Sequence, residues 1–216
     1  DDEPSICWGF ERLLSEQGHA VLTASSAEEG LEKAAANQID LLLLDVRLPG
    51  EDGISALPRF RGILGDAPVV VMTAFGDLET AVAAIHGGAS DYLTKPFKLE
   101  NALKLCQNML AQVPFSAEQG REVSDVSLSD PAVLVGRSPA MQHVFRHIAL
   151  VADSELSVLV TGETGTGKEL VAAAIHRHSR RHDSPYVALA PVSLSESVIE
   201  SELFGHVKGA FTGATE

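Results

Sequence analysis

Basic residues, cysteines and long apolar runs are all scarce in this sequence of 216 residues. There are 16 Lys and Arg against 30 Asp and Glu, and the resulting net charge of −14 argues against non-specific binding of nucleic acid by this stretch. We therefore expect any DNA-binding part of the protein, such as a C-terminal domain, to lie outside it.

The shortage of cysteine and of apolar runs excludes two further classes of protein. Cys7 and Cys106 lack the spacing of metal-binding or redox motifs, which predicts reduced, structural thiols. No apolar run approaches the ~18–20 residues that span a bilayer, and no signal peptide is visible. The sequence therefore predicts a cytoplasmic protein without a membrane partner.

Short apolar runs alternate with helical patterns over residues 4–112. Helices are predicted at residues 4–17, 26–37, 53–64, 77–86 and 99–112. Strands are predicted at residues 19–24, 39–44, 68–73 and 91–94. This alternation predicts an α/β fold, namely a doubly wound parallel sheet with helices on both faces.

Residues 113–130 interrupt the alternation. They contain Ser and Asp, with Pro114 and Gly120 as punctuation, which is typical of a linker. A second α/β unit follows over residues 131–216. Its predicted helices are 138–151, 167–180 and 196–204, and its predicted strands are 156–161 and 186–191. We therefore expect a domain over residues 1–112, a linker and a second domain.

Polar side chains follow three predicted strands of the first domain, at the point where each strand ends. Asp45, Thr73 and Lys95 each come directly after an apolar strand pattern. Ligands bind at the carboxyl ends of the strands in open parallel sheets, so we expect these side chains to share one edge. The acidic pair Asp1 and Asp2 stands just before the first predicted helix.

The residue types in this set favour phosphoryl transfer. A carboxylate nucleophile such as Asp45 can accept a phosphoryl group. Clustered carboxylates suit Mg²⁺, and a Lys with a hydroxyl group can bind phosphoryl oxygens as charge develops. The alternative is that Asp45, Asp1 and Asp2 only cap loops. That role is common for one Asp at a strand end, but it leaves the order of the whole set unexplained.

Four segments of the first half resemble the receiver domain of bacterial two-component response regulators. They are Asp1-Asp2-Glu3-Pro4, residues 45–53, Met72-Thr73-Ala74 and Lys95-Pro96-Phe97, and the match covers nearly all of residues 1–112. The resemblance implies a flavodoxin-like fold. In that fold a first strand precedes the acidic pair, so we expect this strand to be missing and the chain to be a fragment cut at both ends.

The receiver resemblance also implies roles for individual residues. It implies that a sensor histidine kinase phosphorylates Asp45. It assigns Mg²⁺ to Asp1 or Asp2, to Asp45 and to the backbone carbonyl of Arg47.

The same resemblance implies a binding and switching role for three more side chains. Thr73 and Lys95 are expected to bind the phosphoryl oxygens. Tyr92 matches the aromatic residue that reorients with Thr73 on activation, although a buried Tyr is otherwise usually part of a core.

A glycine-rich segment in the second half has the spacing of a phosphate-binding loop. Two glycines, Gly162 and Gly167, stand five positions apart before Lys168, between a predicted strand and a predicted helix. Glycines allow backbone N–H groups to turn toward phosphate, and the helix start adds its positive end. Lys168 is expected to reach the outer phosphates of ATP. The predicted nucleotide-binding residues of this loop are Gly162, Glu163, Thr164, Gly165, Thr166, Gly167, Lys168 and Glu169.

The second half resembles the AAA+ domain of sigma-54-dependent transcriptional activators. The matching segments are residues 162–172, residues 200–206 and the hexapeptide Gly209-Ala210-Phe211-Thr212-Gly213-Ala214. In that family Glu at position 169 is normal, although Ser or Thr is more usual in such loops. The resemblance implies that the hexapeptide contacts sigma-54 and that Val135 and Gly136 lie near the adenine. The receiver-then-AAA+ order is most similar to the NtrC group of nitrogen regulators.

The two resemblances together imply a phosphorylation-controlled activator of sigma-54 RNA polymerase, in which dimers become hexamers or heptamers. The acidic, sensor and arginine-finger motifs of the ATPase are absent, so we expect a truncated AAA+ domain that does not hydrolyse ATP by itself. Two alternatives remain open: a P-loop kinase or transporter ATPase with a receiver-like regulatory domain, and a non-enzymatic phospho-switch with a degenerate ATPase part.

Overall fold

The structure, a computed structural model, describes residues 1–111, 134–136 and 138–189. Seven helices and three strands lie in these ranges. They are α1 Pro4–Glu16, α2 Ala27–Ala36, β1 Leu42–Asp45, α3 Gly53–Leu64, β2 Val69–Thr73, α4 Leu78–His86, β3 Asp91–Thr94, α5 Leu99–Leu110, α6 Pro139–Ala152 and α7 Lys168–His178. The predicted linker 113–130, the predicted helix 196–204 and the hexapeptide 209–214 lie outside the described residues.

The three strands form a parallel sheet in the order β1-β2-β3. Leu44 pairs with Val71, and Val71 pairs with Tyr92, so all three strands point the same way. Every residue of β2 is buried, as the continuous apolar run predicts for a strand with both faces covered. The parallel arrangement brings the carboxyl ends of the strands to one edge of the sheet.

Helices pack on both faces of the sheet, so the α/β prediction is confirmed. On one face, Phe10 of α1 and Cys106 of α5 cluster with Met72 of β2. On the other face, a larger cluster joins residues of α2, α3, α4, α6 and α7. The thiols of Cys7 and Cys106 are both free, and burial raises the pKa of Cys106 to about 11, which keeps that thiol protonated.

Four helices begin at a side chain that caps the first turn. The oxygens of Ser26, Asp52, Asp77 and Ser138 accept hydrogen bonds from backbone N–H groups at the starts of α2, α3, α4 and α6. These residue types are preferred at this position because they satisfy N–H groups that have no partner within the helix. Pro58 lies inside α3, which nevertheless continues from Gly53 to Leu64.

Three predicted strands do not form where the structure describes them, and a fourth begins later than predicted. Residues 19–24, 156–161 and 186–189 form no strand, and the strand predicted from residue 39 begins at Leu42. A strand needs a neighbouring strand to pair its backbone groups, and β1 pairs only with β2 among the described residues. Apolar side chains in these segments stay exposed, with Leu159 at 87% and Val187 at 71%.

Helix α6 packs against α4, and α7 packs against α6. Phe145, Ile148 and Ala149 of α6 are almost fully buried in the larger cluster. Residues Asp1–His182 form one compact unit that contains both helices and the sheet. Within the part of the chain that the structure describes, every helix is too short or too polar to cross a bilayer.

Candidate functional site

The carboxyl ends of β1 and β3 bring Asp45 and Lys95 together. Asp45 is the last residue of β1 and is 3% exposed, while Lys95 directly follows β3. The Nζ atom of Lys95 donates a hydrogen bond of 2.7 Å to Oδ2 of Asp45. The same ammonium group lies 2.9 Å from Oδ2 of Asp1 and 3.5 Å from Oε1 of Glu3. One cation therefore ties the N-terminal acidic segment to the end of β1.

Three carboxylates at this edge form a candidate metal site. Asp1, Asp2 and Asp45 each offer one oxygen, and these atoms lie within 4.8 Å of one another. Oδ2 of Asp1 is buried and lies 2.9 Å from the ammonium group of Lys95. Lys95 supplies one positive charge beside three carboxylates, so a further cation would offset the negative charge that remains. Carboxylate oxygens are ligands that suit Mg²⁺, so the residues fit this ion.

Thr73 ends β2, the strand between Asp45 and Lys95. Its carbonyl accepts a 2.7 Å hydrogen bond from the backbone N–H of Lys95. Its hydroxyl oxygen accepts a 3.0 Å hydrogen bond from the backbone N–H of Phe75. Because the hydroxyl acts as an acceptor here, its own hydrogen can be donated to a further acceptor at this edge.

Arg47 and Phe75 form a contact beside Asp45 that the sequence analysis missed. The backbone N–H of Arg47 donates a 3.3 Å hydrogen bond to Oδ1 of Asp45. The Arg47 guanidinium lies 4.4 Å from the centre of the Phe75 ring, which is a stabilising cation–π contact. This pair joins the loops that follow β1 and β2. The two residues stand 28 positions apart, and no sequence pattern links them.

Gly53 holds the start of α3 against the backbone of Asp45. Its N–H donates a 2.8 Å hydrogen bond to the carbonyl of Val46. A Cβ atom added to Gly53 would overlap the carbonyl oxygen of Asp45. Only a residue without a side chain fits this position, so Gly53 is a further residue that shapes the site.

Tyr92 lies in the middle of β3 and is 8% exposed. Its hydroxyl group donates a 2.9 Å hydrogen bond to the backbone carbonyl of Gln142 in α6. Burial, and to a smaller extent the charge of Asp91, raises the pKa of Tyr92, so the phenol stays protonated and remains a donor. The residue is therefore both packed in the core and hydrogen-bonded to α6.

The glycine-rich segment 162–167 forms a loop that leads directly into α7. Gly165 and Gly167 have φ angles of 83° and 85°, in the left-handed region that glycine favours. Lys168, the first residue of α7, donates from Nζ to the carbonyls of Gly162 and Glu163 at 3.1 and 2.6 Å. The Lys168 side chain thus binds the backbone of the loop that precedes it.

The remaining residues of this segment also lie close to the start of α7. The hydroxyl group of Thr166 donates a 2.8 Å hydrogen bond to the carbonyl of Glu163, across the turn that contains Thr164. Glu169 lies in the first turn of α7. A helix start and an ammonium group together favour a bound anion, so the loop fits a phosphate group.

Val135 and Gly136, which were expected near the adenine, lie just before α6. Val135 is 47% exposed. The carbonyl of Gly136 accepts a 2.9 Å hydrogen bond from Nε2 of Gln142. Gln142 was not identified from the sequence, because its partners in the sheet region are 48–66 positions away.

Comparison with known proteins gives a match for each half of the chain. Residues 1–107 match the model of the response regulator receiver domain, and residues 134–216 match the model of the sigma-54 interaction domain.

Curated relatives match almost the whole chain. It is 44% identical over 215 residues to the DNA-binding transcriptional regulator NtrC of Escherichia coli, covering 99% of this chain and 45% of that protein. It is also 44% identical over 220 residues to the transcriptional regulatory protein ZraR of Escherichia coli, covering 99% of this chain and 48% of that protein. The chain therefore spans about half the length of these relatives.

A solved structure gives the same result for the first half. The crystal structure of a two-component response regulator from Clostridium difficile is 28% identical, with a TM-score of 0.50, and covers 52% of this chain and 92% of that one. The two domain matches agree with the curated relatives, which match 99% of this chain. The chain belongs to the NtrC-type response regulators, which join a receiver domain to a sigma-54 interaction domain.

Proposed function

We propose that the full-length protein is a phosphorylation-controlled activator of sigma-54 RNA polymerase, with Asp45 as the residue that a sensor histidine kinase phosphorylates. The observation that carries this proposal is the buried cluster at the sheet edge, where Lys95 contacts Asp45 at 2.7 Å and Asp1 at 2.9 Å. A buried carboxylate beside a cation and a candidate metal site is a suitable phosphoryl acceptor.

The phosphoryl transfer step follows from the groups around Asp45. A carboxylate oxygen of Asp45 forms a bond to phosphorus while the bond between phosphorus and the donor breaks, which yields an acyl phosphate. Lys95 pairs with one oxygen of the transferred group, and the hydroxyl group of Thr73 donates to another. Asp1 or Asp2, Asp45 and the backbone carbonyl of Arg47 would hold Mg²⁺, which would offset the negative charge that accumulates.

The nucleotide part of the proposal assigns ATP to the loop before α7. Residues 162–169 would hold the phosphate groups, and Lys168 would bind phosphate oxygens in place of its loop carbonyl partners. Val135 and Gly136 would lie beside the adenine. The support is the left-handed geometry of Gly165 and Gly167 at a helix start.

The output of the full-length protein depends on segments beyond the described residues. The hexapeptide 209–214 contacts sigma-54, and rings of the cytoplasmic full-length protein remodel the polymerase after dimers assemble into hexamers or heptamers. A separate C-terminal domain binds promoter DNA. Nitrogen regulation is the physiological role that we propose, since the relatives at 44% identity include NtrC.

Intact-mass measurement after incubation with acetyl phosphate and Mg²⁺ tests the assignment of Asp45. Full-length wild-type protein should gain one phosphoryl group, and Asp45→Asn should gain none. Asp40→Asn is the matched control, because Asp40 is exposed and lies close in sequence; it should gain one group like the wild type. Addition to the Asp45→Asn variant would refute the assignment.

A further inference from the structure

Helix α6 covers a face of the receiver that α4, β3 and the loop after β2 form. Phe145 and Ile148 of α6 are 0% and 1% exposed in the core that includes α4. Nη1 of Arg146 lies 3.1 Å from Oδ2 of the buried Asp91, and Nε2 of His86 lies 3.2 Å from the carbonyl of Ala149. The contact therefore combines buried apolar side chains with polar pairs.

Gln142, in the first turn of α6, makes three hydrogen bonds to the receiver and one to Gly136. Its backbone carbonyl accepts from the Tyr92 hydroxyl at 2.9 Å, and Oε1 accepts from the Thr94 hydroxyl at 3.0 Å. Its Nε2 atom donates to the carbonyls of Gly76 and Gly136, each at 2.9 Å. An amide has two N–H donors and one oxygen acceptor. A flipped amide would place its oxygen against two carbonyl oxygens, so only this orientation satisfies all the partners.

Each receiver group that Gln142 holds is close in sequence to a residue of the phosphorylation site. Thr94 directly precedes Lys95, and Gly76 is three residues beyond Thr73. The approach at Gly76 is close, because an added Cβ would lie 2.9 Å from Nε2 of Gln142. Gln142 therefore fixes the two chain segments that carry the phosphoryl-binding side chains.

The fourth partner of Gln142 belongs to the nucleotide side of the molecule. The carbonyl of Gly136 lies in the segment assigned above to the adenine, and its hydrogen bond to Nε2 uses the second N–H of the amide. One side chain thus connects the loop after β2, the end of β3 and the segment before α6. A shift of either receiver segment would remove a hydrogen bond that orients the Gln142 amide, and the same amide donates to Gly136.

We propose that Gln142 couples phosphorylation at Asp45 to nucleotide binding at the loop before α7. The proposal rests on the function proposed above. In the present arrangement Lys95 is paired with Asp1 and Asp45. When a phosphoryl group is attached to Asp45, Lys95 and Thr73 move to its oxygens, and Thr94 and Gly76 move with them. The contacts of Gln142 favour the unphosphorylated arrangement, and phosphorylation weakens the docking of α6.

Thermodynamic reciprocity makes this proposal measurable in two directions. If phosphorylation changes nucleotide affinity by some factor, then nucleotide changes the stability of the phosphorylated arrangement by the same factor. Removing the side-chain contacts of Gln142 should make the phosphorylated arrangement easier to reach and should abolish the coupling. Loss of coupling distinguishes a positioning role from a general loss of packing. A general loss of packing would lower the affinity for ATP equally with and without phosphorylation, so the ratio of the two Kd values would not change.

The experiment measures ATP affinity of the full-length protein in Mg²⁺, with and without beryllofluoride as the phosphoryl mimic. In wild type, beryllofluoride should change the Kd for ATP by at least about fivefold, a typical coupling. In Gln142→Ala and Gln142→Glu that factor should fall close to one. The Glu variant keeps the length of the side chain but cannot donate to Gly76 and Gly136, so it tests hydrogen bonding rather than volume.

Gln107→Ala is the matched control, since Gln107 is an exposed residue of α5 and the substitution is identical. This control should keep the wild-type factor. Initial rates of phosphorylation by acetyl phosphate should rise several-fold in Gln142→Ala and stay at the wild-type value in Gln107→Ala. Wild-type coupling in both Gln142 variants would overturn the inference while leaving Asp45 as the acceptor. Failure of the wild type to accept phosphoryl groups would instead overturn the proposed function and this inference with it.

Discussion

Removal of Arg146 should destabilise the protein more at neutral pH than at acid pH. Arg146 pairs with Asp91 at 3.1 Å, and their side chains are only 20% and 6% exposed. Burial raises the pKa of Asp91, whereas Arg146, the N–H of Tyr92 and, more weakly, His143 lower it. Arg146→Met keeps part of the apolar stem but removes the charge that offsets burial of the carboxylate.

The magnitude follows from the burial of the two side chains. Removing one partner of a fully buried ion pair costs about 3–5 kcal/mol. Arg146 is 20% exposed, and Asp91 keeps its 2.8 Å hydrogen bond from the N–H of Tyr92. We therefore expect a loss of about 2 kcal/mol in the free energy of unfolding near neutral pH.

The sign of the pH dependence follows from the raised pKa of Asp91. The folded state binds the Asp91 proton more tightly than the unfolded state, so stability falls as pH rises through the folded-state pKa. Arg146→Met raises that pKa further and enlarges the penalty above it. At pH near the ordinary pKa of Asp, the Asp91 carboxyl group is protonated in both wild type and Arg146→Met. The difference between their free energies of unfolding should therefore shrink.

Urea denaturation at neutral pH and at pH near the ordinary pKa of Asp tests this prediction. Arg12→Met is the control, because the Arg12–Glu16 pair is 62% and 57% exposed and should contribute less than about 1 kcal/mol. Combining Asp91→Asn with Arg146→Met should recover much of the loss at neutral pH. The reasoning fails if Arg146→Met loses no more stability than Arg12→Met, or loses the same amount at both pH values.

Three further predictions concern the site and the core. Gly53→Ala should lower the free energy of unfolding by about 1–3 kcal/mol and slow phosphorylation, because its Cβ would overlap the Asp45 carbonyl. Thermal melts and acetyl phosphate kinetics measure these two effects. A variant with wild-type stability and wild-type phosphorylation rate would contradict the overlap. Phe145→Ala should cost about 3–5 kcal/mol, since Phe145 is 0% exposed, and a urea midpoint equal to wild type would contradict this burial. Lys168→Ala should abolish ATP binding by the full-length protein in a fluorescent-nucleotide titration. In the absence of ATP it should leave the phosphorylation of Asp45 by acetyl phosphate unchanged.

Much of the receiver site is predictable because strand ends are visible in the sequence. Asp45 and Lys95 each follow an apolar strand pattern, and a parallel sheet brings such positions to one edge. The structure places their side chains 2.7 Å apart. The contact of Arg47 with Phe75 was not predictable, because it depends on the rotamers of two loop side chains. The closeness of Gly53 to Asp45 depends likewise on how α3 begins.

The helices were more predictable than the strands, for a local reason. A capped helix satisfies most of its hydrogen bonds within itself, so Ser26 and Asp77 mark where α2 and α4 begin. A strand depends on its neighbour. Residues 156–161 have a strand-like composition, but the described part of the chain supplies no partner strand, and Leu159 stays 87% exposed. Composition therefore predicted a strand where pairing is absent.

No sequence pattern predicts the contact between α6 and the receiver, and the coupling proposed for Gln142 depends on this contact. From Asp45 the contacts run through Lys95 to Thr94, then through Gln142 to Gly136. Each step is a peptide bond or a hydrogen bond of 3.0 Å or less. Because coupling between two sites is reciprocal, ATP that shifts Gly136 should alter how readily Asp45 is phosphorylated, just as phosphorylation alters ATP affinity. A response regulator built this way would respond to nucleotide as well as to its kinase.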